Sequence, residues 1–360
     1  MNIGIPKERR PFEFRVGMTP IGVEMLTKEG HTCYIEHEAG LGAGFSDLDY
    51  EQAGGRVAYS PHEVFGRADL LLKVARPTYE ELEWLKPQAG IAGLLHLNSS
   101  RKDKIDILQE KEITAIAYEQ FQLPDGSFPI RTPLSQIGGR LAAQIGATLL
   151  QNDRGGKGIL LGGIASVPPA EVVIIGAGVV GTCALTAFMG MGAHITVLDK
   201  DMNALQRVYD SFPGIVTMMA YPNYIARVCA YADIVVGSIL VAGSTAPLVI
   251  TREIVSSMKP RSLIMDISID EGGCVETSRP TTHEHPTFIE EGVIHYCVPN
   301  IPSVVARTST YAFLNAAFPF IWELANKGIH NAIEENPAIE IGIPVYRGEL
   351  RHITRIDLVR

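Results

Sequence analysis

The stretch with the most chemical content is Glu171-Val-Val-Ile-Ile-Gly176-Ala-Gly178-Val-Val-Gly181. It reads as a buried strand, a glycine turn and the start of a helix. Gly176 permits the tight turn, Gly178 lets a backbone approach a pyrophosphate, and Gly181 lets the helix pack close to its strand. The helix start offers unpaired N–H groups and a positive dipole end to phosphates. A second apolar run, His194-Ile-Thr-Val-Leu198, ends at Asp199. A carboxylate there accepts hydrogen bonds from a ribose 2′-hydroxyl and repels a 2′-phosphate. The pattern implies dinucleotide binding with NAD preferred over NADP, Lys200 being the one neighbour that softens the preference. An ordinary strand-to-helix turn with a surface aspartate is the alternative.

Redox chemistry on a nicotinamide also needs a substrate anchor and a proton donor near the reacting carbon. Arg15 follows the first strand, where ligands meet open α/β sheets, and its planar fork suits a carboxylate. The other reading is a surface arginine. His96 closes the apolar run Ile91-Ala-Gly-Leu-Leu-His96, and a histidine there passes a proton near neutral pH or serves as a satisfied structural group. Asp270 lies after Leu263-Ile-Met-Asp-Ile-Ser-Ile269 and just before Gly272-Gly273. It is placed to meet a bound dinucleotide, or simply initiates a turn. Ser135 either lays a hydroxyl on a phosphate or caps a helix. His283-Glu-His285 has metal-ligand chemistry but lacks a third ligand at matching spacing, so a polar loop is expected and no metal.

These residues need a frame to hold them. Strands are expected at Asn2–Ile5, His31–Glu36, Ala68–Val74, Gly90–Leu97 and Ile113–Tyr118, with helices at Pro20–Glu29 and Arg101–Lys111, the latter capped by Ser99 or Ser100. A small-residue helix is expected from Ser135 to about Gln151. Further strands are read at Val172–Ile175, Ile195–Leu198, Ile234–Val236, Leu263–Ile267 and Val293–Tyr296. A long helix follows over about Thr308–Asn326, then a tail with little periodicity. Strands alternating with helices imply parallel sheets with right-handed crossovers. The fold class expected is α/β, two Rossmann-like doubly wound parallel-sheet domains with an interdomain cleft. Residues 1–130 plus 305–360 would form the substrate domain and 131–304 the NAD-binding domain.

The 360 residues carry a net charge of −9, which argues against nucleic-acid partners and anionic membrane surfaces. No apolar stretch is long enough to span a bilayer, and the N-terminus lacks the layout of a signal peptide. Cysteines 33, 183, 229, 274 and 297 are odd in number and scattered, which fits a reducing cytoplasm rather than a disulfide frame.

Ordered segments from residue 1 to about 330 resemble the alanine dehydrogenase family, related to the soluble nucleotide-binding part of transhydrogenase. Among them are Ile5-Pro-Lys-Glu8, Phe14-Arg-Val16, Asp69-Leu-Leu-Leu-Lys-Val74, Gly139-Arg-Leu-Ala-Ala-Gln144, Asp266-Ile-Ser-Ile-Asp270, Ser278-Arg-Pro280 and Thr308-Ser-Thr-Tyr311. The resemblance implies reversible conversion of L-alanine, NAD⁺ and water to pyruvate, ammonium and NADH, in a homo-oligomer that is usually a hexamer. By the same resemblance Arg15 holds the substrate carboxylate, His96 exchanges the carbonyl proton and Asp270 assists water or ammonia. Ser135, Val179, Val180, Asp199, Ile239, Leu240, Ile267, Arg279 and the segment Val298, Asn300 and Ile301 line the cofactor. The family's second lysine after the third strand is replaced here, in Lys73-Val-Ala75-Arg76-Pro77. Lys73 shares a face with position 75 but lies ~6–7 Å further back, and Arg76 faces the other way unless the strand end twists. Lys73 and Arg76 are therefore the candidate substrate-binding cations. A pocket reshaped for another amino or imino acid, and a non-catalytic nucleotide-binding module as in transhydrogenase, are the two alternatives.

Overall fold

The computed structural model describes residues 1–240, 245–351 and 353. Within the tail, His352 and residues 354–360 lie outside the described residues. In chain order the strands are β1 (Asn2–Ile5), β2 (Thr32–Glu36), β3 (Arg56–Ala58), β4 (Leu70–Ala75), β5 (Gly90–Leu94), β6 (Thr114–Ala117), β7 (Glu171–Ile175) and β8 (His194–Asp199). They continue with β9 (Val216–Met219), β10 (Ile234–Gly237), β11 (Leu263–Asp266), β12 (Thr287–Glu290), β13 (Val293–Tyr296), β14 (Val345–Tyr346) and β15 (Glu349–Leu350).

The chain divides into two units, Met1–Leu134 with the segment from Ser303 onward, and Ser135–Pro302. In the first unit the sheet order is β15-β14-β6-β5-β4-β1-β2-β3. Strands β1 to β6 pair in parallel, and β4 is buried at all six positions, as a strand covered on both faces must be. The tail, which has no periodicity in sequence, forms two short helices and the β14–β15 hairpin. That hairpin joins β6 antiparallel through Val345 and Ala115. The sheet is thus parallel with an antiparallel edge rather than parallel throughout.

The second unit has the order β12-β13-β11-β10-β7-β8-β9, with only β12 antiparallel to its neighbour. Its first helix runs from Arg131 to Leu149 and so begins four residues before the expected start. Pro133 sits in its first turn, where a missing N–H costs nothing. Ser135 is consequently inside the helix and is not its cap. The glycines of this helix have a packing reason: a Cβ on Gly139 would meet the Val180 carbonyl oxygen at 2.3 Å. Glycine lets the helix approach the one that starts at Val179.

Candidate active site

Within the first unit, four adjacent parallel strands, β1, β4, β5 and β6, deliver chemistry-bearing residues at their C-terminal ends. The segment after β1 doubles back over β4. Glu8 accepts the Val74 N–H at 2.6 Å, Arg10 Nε donates to the Arg76 carbonyl at 2.8 Å, and a Cβ on Gly17 would meet the Leu72 carbonyl oxygen at 2.1 Å. That close approach places Arg15 against the end of β4. Arg15 is 2 % exposed, which excludes the surface-arginine reading. Its Nε and Nη2 donate to the two oxygens of Glu13 at 2.7 and 2.6 Å, a bidentate pair. Glu13 was missed in the sequence reading, although opposite charges two residues apart around Phe14 were a usable signal.

Lys73 departs from its expected role. Its side chain has no exposed surface, and its ammonium lies 3.0 Å from Glu8 and 2.7 Å from Glu81. It is committed to two core carboxylates and presents nothing to a ligand. Burial opposes its charge, yet the two carboxylates together raise its pKa above the usual lysine range. Glu8 is pushed up, chiefly by burial. Ala75 ends β4 in register with Leu94, and Arg76, partly exposed, follows it.

His96 stands two residues beyond Leu94, in left-handed backbone at φ +45°, and is exposed rather than packed as a structural histidine would be. Histidine is among the side chains that tolerate this region. The conformation is clamped by Glu119, just after β6, whose carboxylate accepts the backbone N–H groups of Leu95 at 3.0 Å and His96 at 2.6 Å. Ser100 donates to the His96 carbonyl at 3.4 Å, and the next helix, Lys102–Glu110, starts at an Arg101 cap with no side-chain bond. The expected serine cap is replaced by this contact.

In the second unit, β7 is the switch point of the sheet, flanked by β10 and β8. Gly176 takes φ +109°, and Ser238 at the end of β10 donates to the carbonyls of Ile175 at 3.1 Å and Gly176 at 3.0 Å. A Cβ on Gly181 would fall 1.8 Å from the Gly176 oxygen, whereas one on Gly178 would meet no atom. The turn is therefore closed on its inner side and open where phosphates would sit, ahead of the helix Val179–Gly190. Asp199 accepts the Ala177 N–H at 2.6 Å and the Asp201 N–H at 2.8 Å, so it braces the turn from the end of β8. These features fit a dinucleotide: Gly178, Val179 and Val180 would hold its phosphates and Asp199 its ribose.

The other expected cofactor residues lie beyond β10, β11 and β13. Ile239 donates its N–H to Ser268 at 2.9 Å, which ties Ile239 and Leu240 to the turn Ile267–Glu271 carrying Asp270. That turn is anchored by Asp266, which accepts the N–H groups of Ser268, Cys274 and Val275 at 3.0–3.3 Å. Asp270 is exposed and accepts the Asn300 N–H at 3.2–3.3 Å, with Asn300 itself at φ +54°. Val298 and Ile301 are buried on either side of Asn300. Arg279 lies 4.0 Å above the Phe288 ring, which in turn stacks on His295. His283 and His285 stand in an irregular segment, and among the described residues no group of three metal-ligand side chains gathers.

Comparison with known proteins matches both halves of the chain to one family. Residues 4–138 match the model "Alanine dehydrogenase/PNT, N-terminal domain" and residues 142–353 match "Alanine dehydrogenase/PNT, C-terminal domain". The alanine dehydrogenase of Methanococcus maripaludis is 44% identical over 354 residues, covering 98% of this chain and 95% of that one. That of Mycobacterium tuberculosis is 42% identical over 351 residues, covering 97% and 94%. A solved L-alanine dehydrogenase superposes with a TM-score of 0.94 at 40% identity, covering 98% and 97%. A transhydrogenase from Sinorhizobium meliloti shares the fold, with a TM-score of 0.84 at 23% identity over 98% and 100%. With both family models matched in order along nearly the whole chain, the protein belongs to the alanine dehydrogenase/PNT family.

Proposed function

We propose that this protein is an NAD-dependent L-alanine dehydrogenase that interconverts L-alanine and pyruvate with ammonium. The observation that carries the reading is near-full-length likeness, at 41–44% identity, to proteins bearing that name. The residues support it. The Arg15–Glu13 pair orients a guanidinium toward the substrate carboxylate, and Arg76 adds positive charge beside it. His96, held by the Glu119 clamp, exchanges a proton with the carbonyl oxygen, and Asp270 assists water or ammonia. Lys73 takes no part in binding. The bound dinucleotide supplies or accepts the hydride.

We assign residues 1–130 and 305–360 to substrate binding and 131–304 to NAD. A homo-oligomer, hexameric by family resemblance, and a cytoplasmic location complete the reading. Among the described residues no helix is long and apolar enough to cross a membrane. The defining experiment follows NADH oxidation with pyruvate, with and without ammonium. Consumption that requires both is expected; equal consumption without ammonium, or none on any oxo acid, overturns the assignment.

Asp199 sets the cofactor choice. Replacing it with alanine removes a ribose acceptor, the charge that repels a 2′-phosphate, and the brace at Ala177. The Asp199→Ala variant should bind NADH about 10–100-fold more weakly, the loss of one charge-assisted hydrogen bond, and its preference over NADPH should narrow. Fluorescence titration with both reduced cofactors measures this.

A further inference from the structure

We propose that Tyr221 is the platform on which the adenine ring of the bound dinucleotide stacks. This deepens the proposed function and rests on its dinucleotide reading. Within the second unit the strands β11-β10-β7-β8-β9 follow one another in parallel, so their C-terminal ends share one edge. Along that edge stand Asp270 beyond β11, Leu240 beyond β10, the glycine turn after β7, Asp199 at the end of β8 and Tyr221 beyond β9. A dinucleotide with its pyrophosphate at the glycine turn and its adenosine ribose at Asp199 carries the adenine onward to the end of β9.

The backbone ties Tyr221 to the ribose site. Met219 is in register with Asp199, and Ala220 donates its N–H to the Asp199 carbonyl at 2.9 Å. The Tyr221 N–H then turns back onto the Met219 carbonyl at 2.8 Å. Adjacent strands lie about 4.8 Å apart, and two residues of chain add at most about 7 Å. The tyrosine ring therefore starts beside the ribose carboxylate and not across the sheet from it.

The ring is open to a ligand and backed by protein. Tyr221 is 56 % exposed, and it precedes the helix Pro222–Tyr231 at the cap position without a side-chain bond to that helix. Met218, Met219 and Ala220, which lead to it, are half-buried and apolar, so strand end and ring form one apolar surface. Tyr224 packs tilted against the ring at 5.7 Å between centroids, and the Arg227 guanidinium lies 5.1 Å from the Tyr224 centroid. A supported aromatic face with apolar surroundings suits the flat face of a base, which every nucleobase presents. Tyr209 is also exposed but lies elsewhere. It stands near the end of the helix Met202–Ser211, which returns from β8 to the start of β9 and so reaches the opposite edge of the sheet.

The test measures binding, not turnover. NADH is titrated directly, and ADP-ribose, which keeps the adenosine half and lacks the nicotinamide, is scored by displacement of NADH. Both are run on the full chain and on Tyr221→Ala, Tyr221→Phe and Tyr209→Ala. In Tyr221→Ala the dissociation constants of both ligands should rise by the same factor, about 5- to 150-fold, the range for removing a base-stacking ring. Tyr221→Phe keeps the stacking face and Tyr209→Ala leaves the site untouched, so both should bind like the parent. These side chains are exposed, and ligand-free melting temperatures should agree across the set. Unchanged ADP-ribose affinity in Tyr221→Ala, or a Tyr221→Phe variant as weak as Tyr221→Ala, overturns the platform and leaves the proposed function intact. A parent that binds neither ligand overturns the dinucleotide reading and the platform with it.

Discussion

Replacing His96 with asparagine should lower kcat for pyruvate amination by about 10²–10⁴-fold, the range over which a positioned acid–base group acts. Asparagine is chosen for a backbone reason. Residue 96 sits at φ +45° and donates its N–H to Glu119 at 2.6 Å, so a substitute must accept the left-handed region. Asparagine does so readily, whereas a β-branched residue would add strain that could be mistaken for lost chemistry. The loss in His96→Asn then reports the imidazole alone. NADH affinity should stay close to the parent value, because the cofactor residues named above belong to the other unit. Steady-state rates and a parallel NADH titration decide the matter. A fall of less than threefold in kcat would show that His96 transfers no proton, and a matching loss of NADH affinity would point to misfolding.

The parts of this molecule written in local runs were legible, and the parts written in distant pairs were not. Gly176 and Gly181 announce their turn because each answers a local backbone demand, a φ of +109° at Gly176 and a 1.8 Å clash of any Cβ on Gly181 with the Gly176 oxygen. Strand β4 shows itself as six consecutive buried residues. By contrast, β3 has three residues, and β14 and β15 have two each, too few for a period-2 pattern to emerge. Ser135 looked like a cap because a hydroxyl preceding a helical run is the usual signal. The overlooked cue was Pro133, which marks a first turn already under way.

The candidate site divides the same way. Arg15, His96 and Asp270 could be picked out because each follows an apolar run, where a parallel sheet presents its C-terminal edge. Their supports were invisible. Glu119 is 23 residues from His96, and Asn300 is 30 residues from Asp270. Lys73 was misassigned for the same reason. Alternation fixes which face a strand residue occupies, but not whether two carboxylates from other segments wait on that face.

That buried group sets up the largest expected change in stability. Lys73→Met keeps the length of the side chain and removes its charge, leaving Glu8 and Glu81 at 2 % exposure or less without the ammonium they share, Arg9 remaining 3.7 Å from Glu81. Breaking a buried ion pair from one side costs about 3–5 kcal/mol, a fall in melting temperature of roughly 6–20 °C for a unit of this size. The pH dependence has a definite sign. In the parent, Lys73 has a raised folded pKa, so its contribution is complete below the ordinary lysine value and is lost only as pH rises through the folded value. Glu8 is already pushed up by burial in the parent, and the variant removes the Lys73 charge that opposed this, so Glu8 holds a proton that the unfolded chain has released by neutral pH. Stability of Lys73→Met should therefore recover as pH falls from 8 toward 5, narrowing its gap from the parent. Adding Glu8→Gln and Glu81→Gln to Lys73→Met should restore most of the loss, since neutral groups of similar volume carry no desolvated charge. Calorimetric melting of the parent, the single variant and the triple variant across that pH range tests the account. A single variant that melts like the parent at pH 8, or a gap that widens on acidification, would show that Lys73 does not neutralise the two acids.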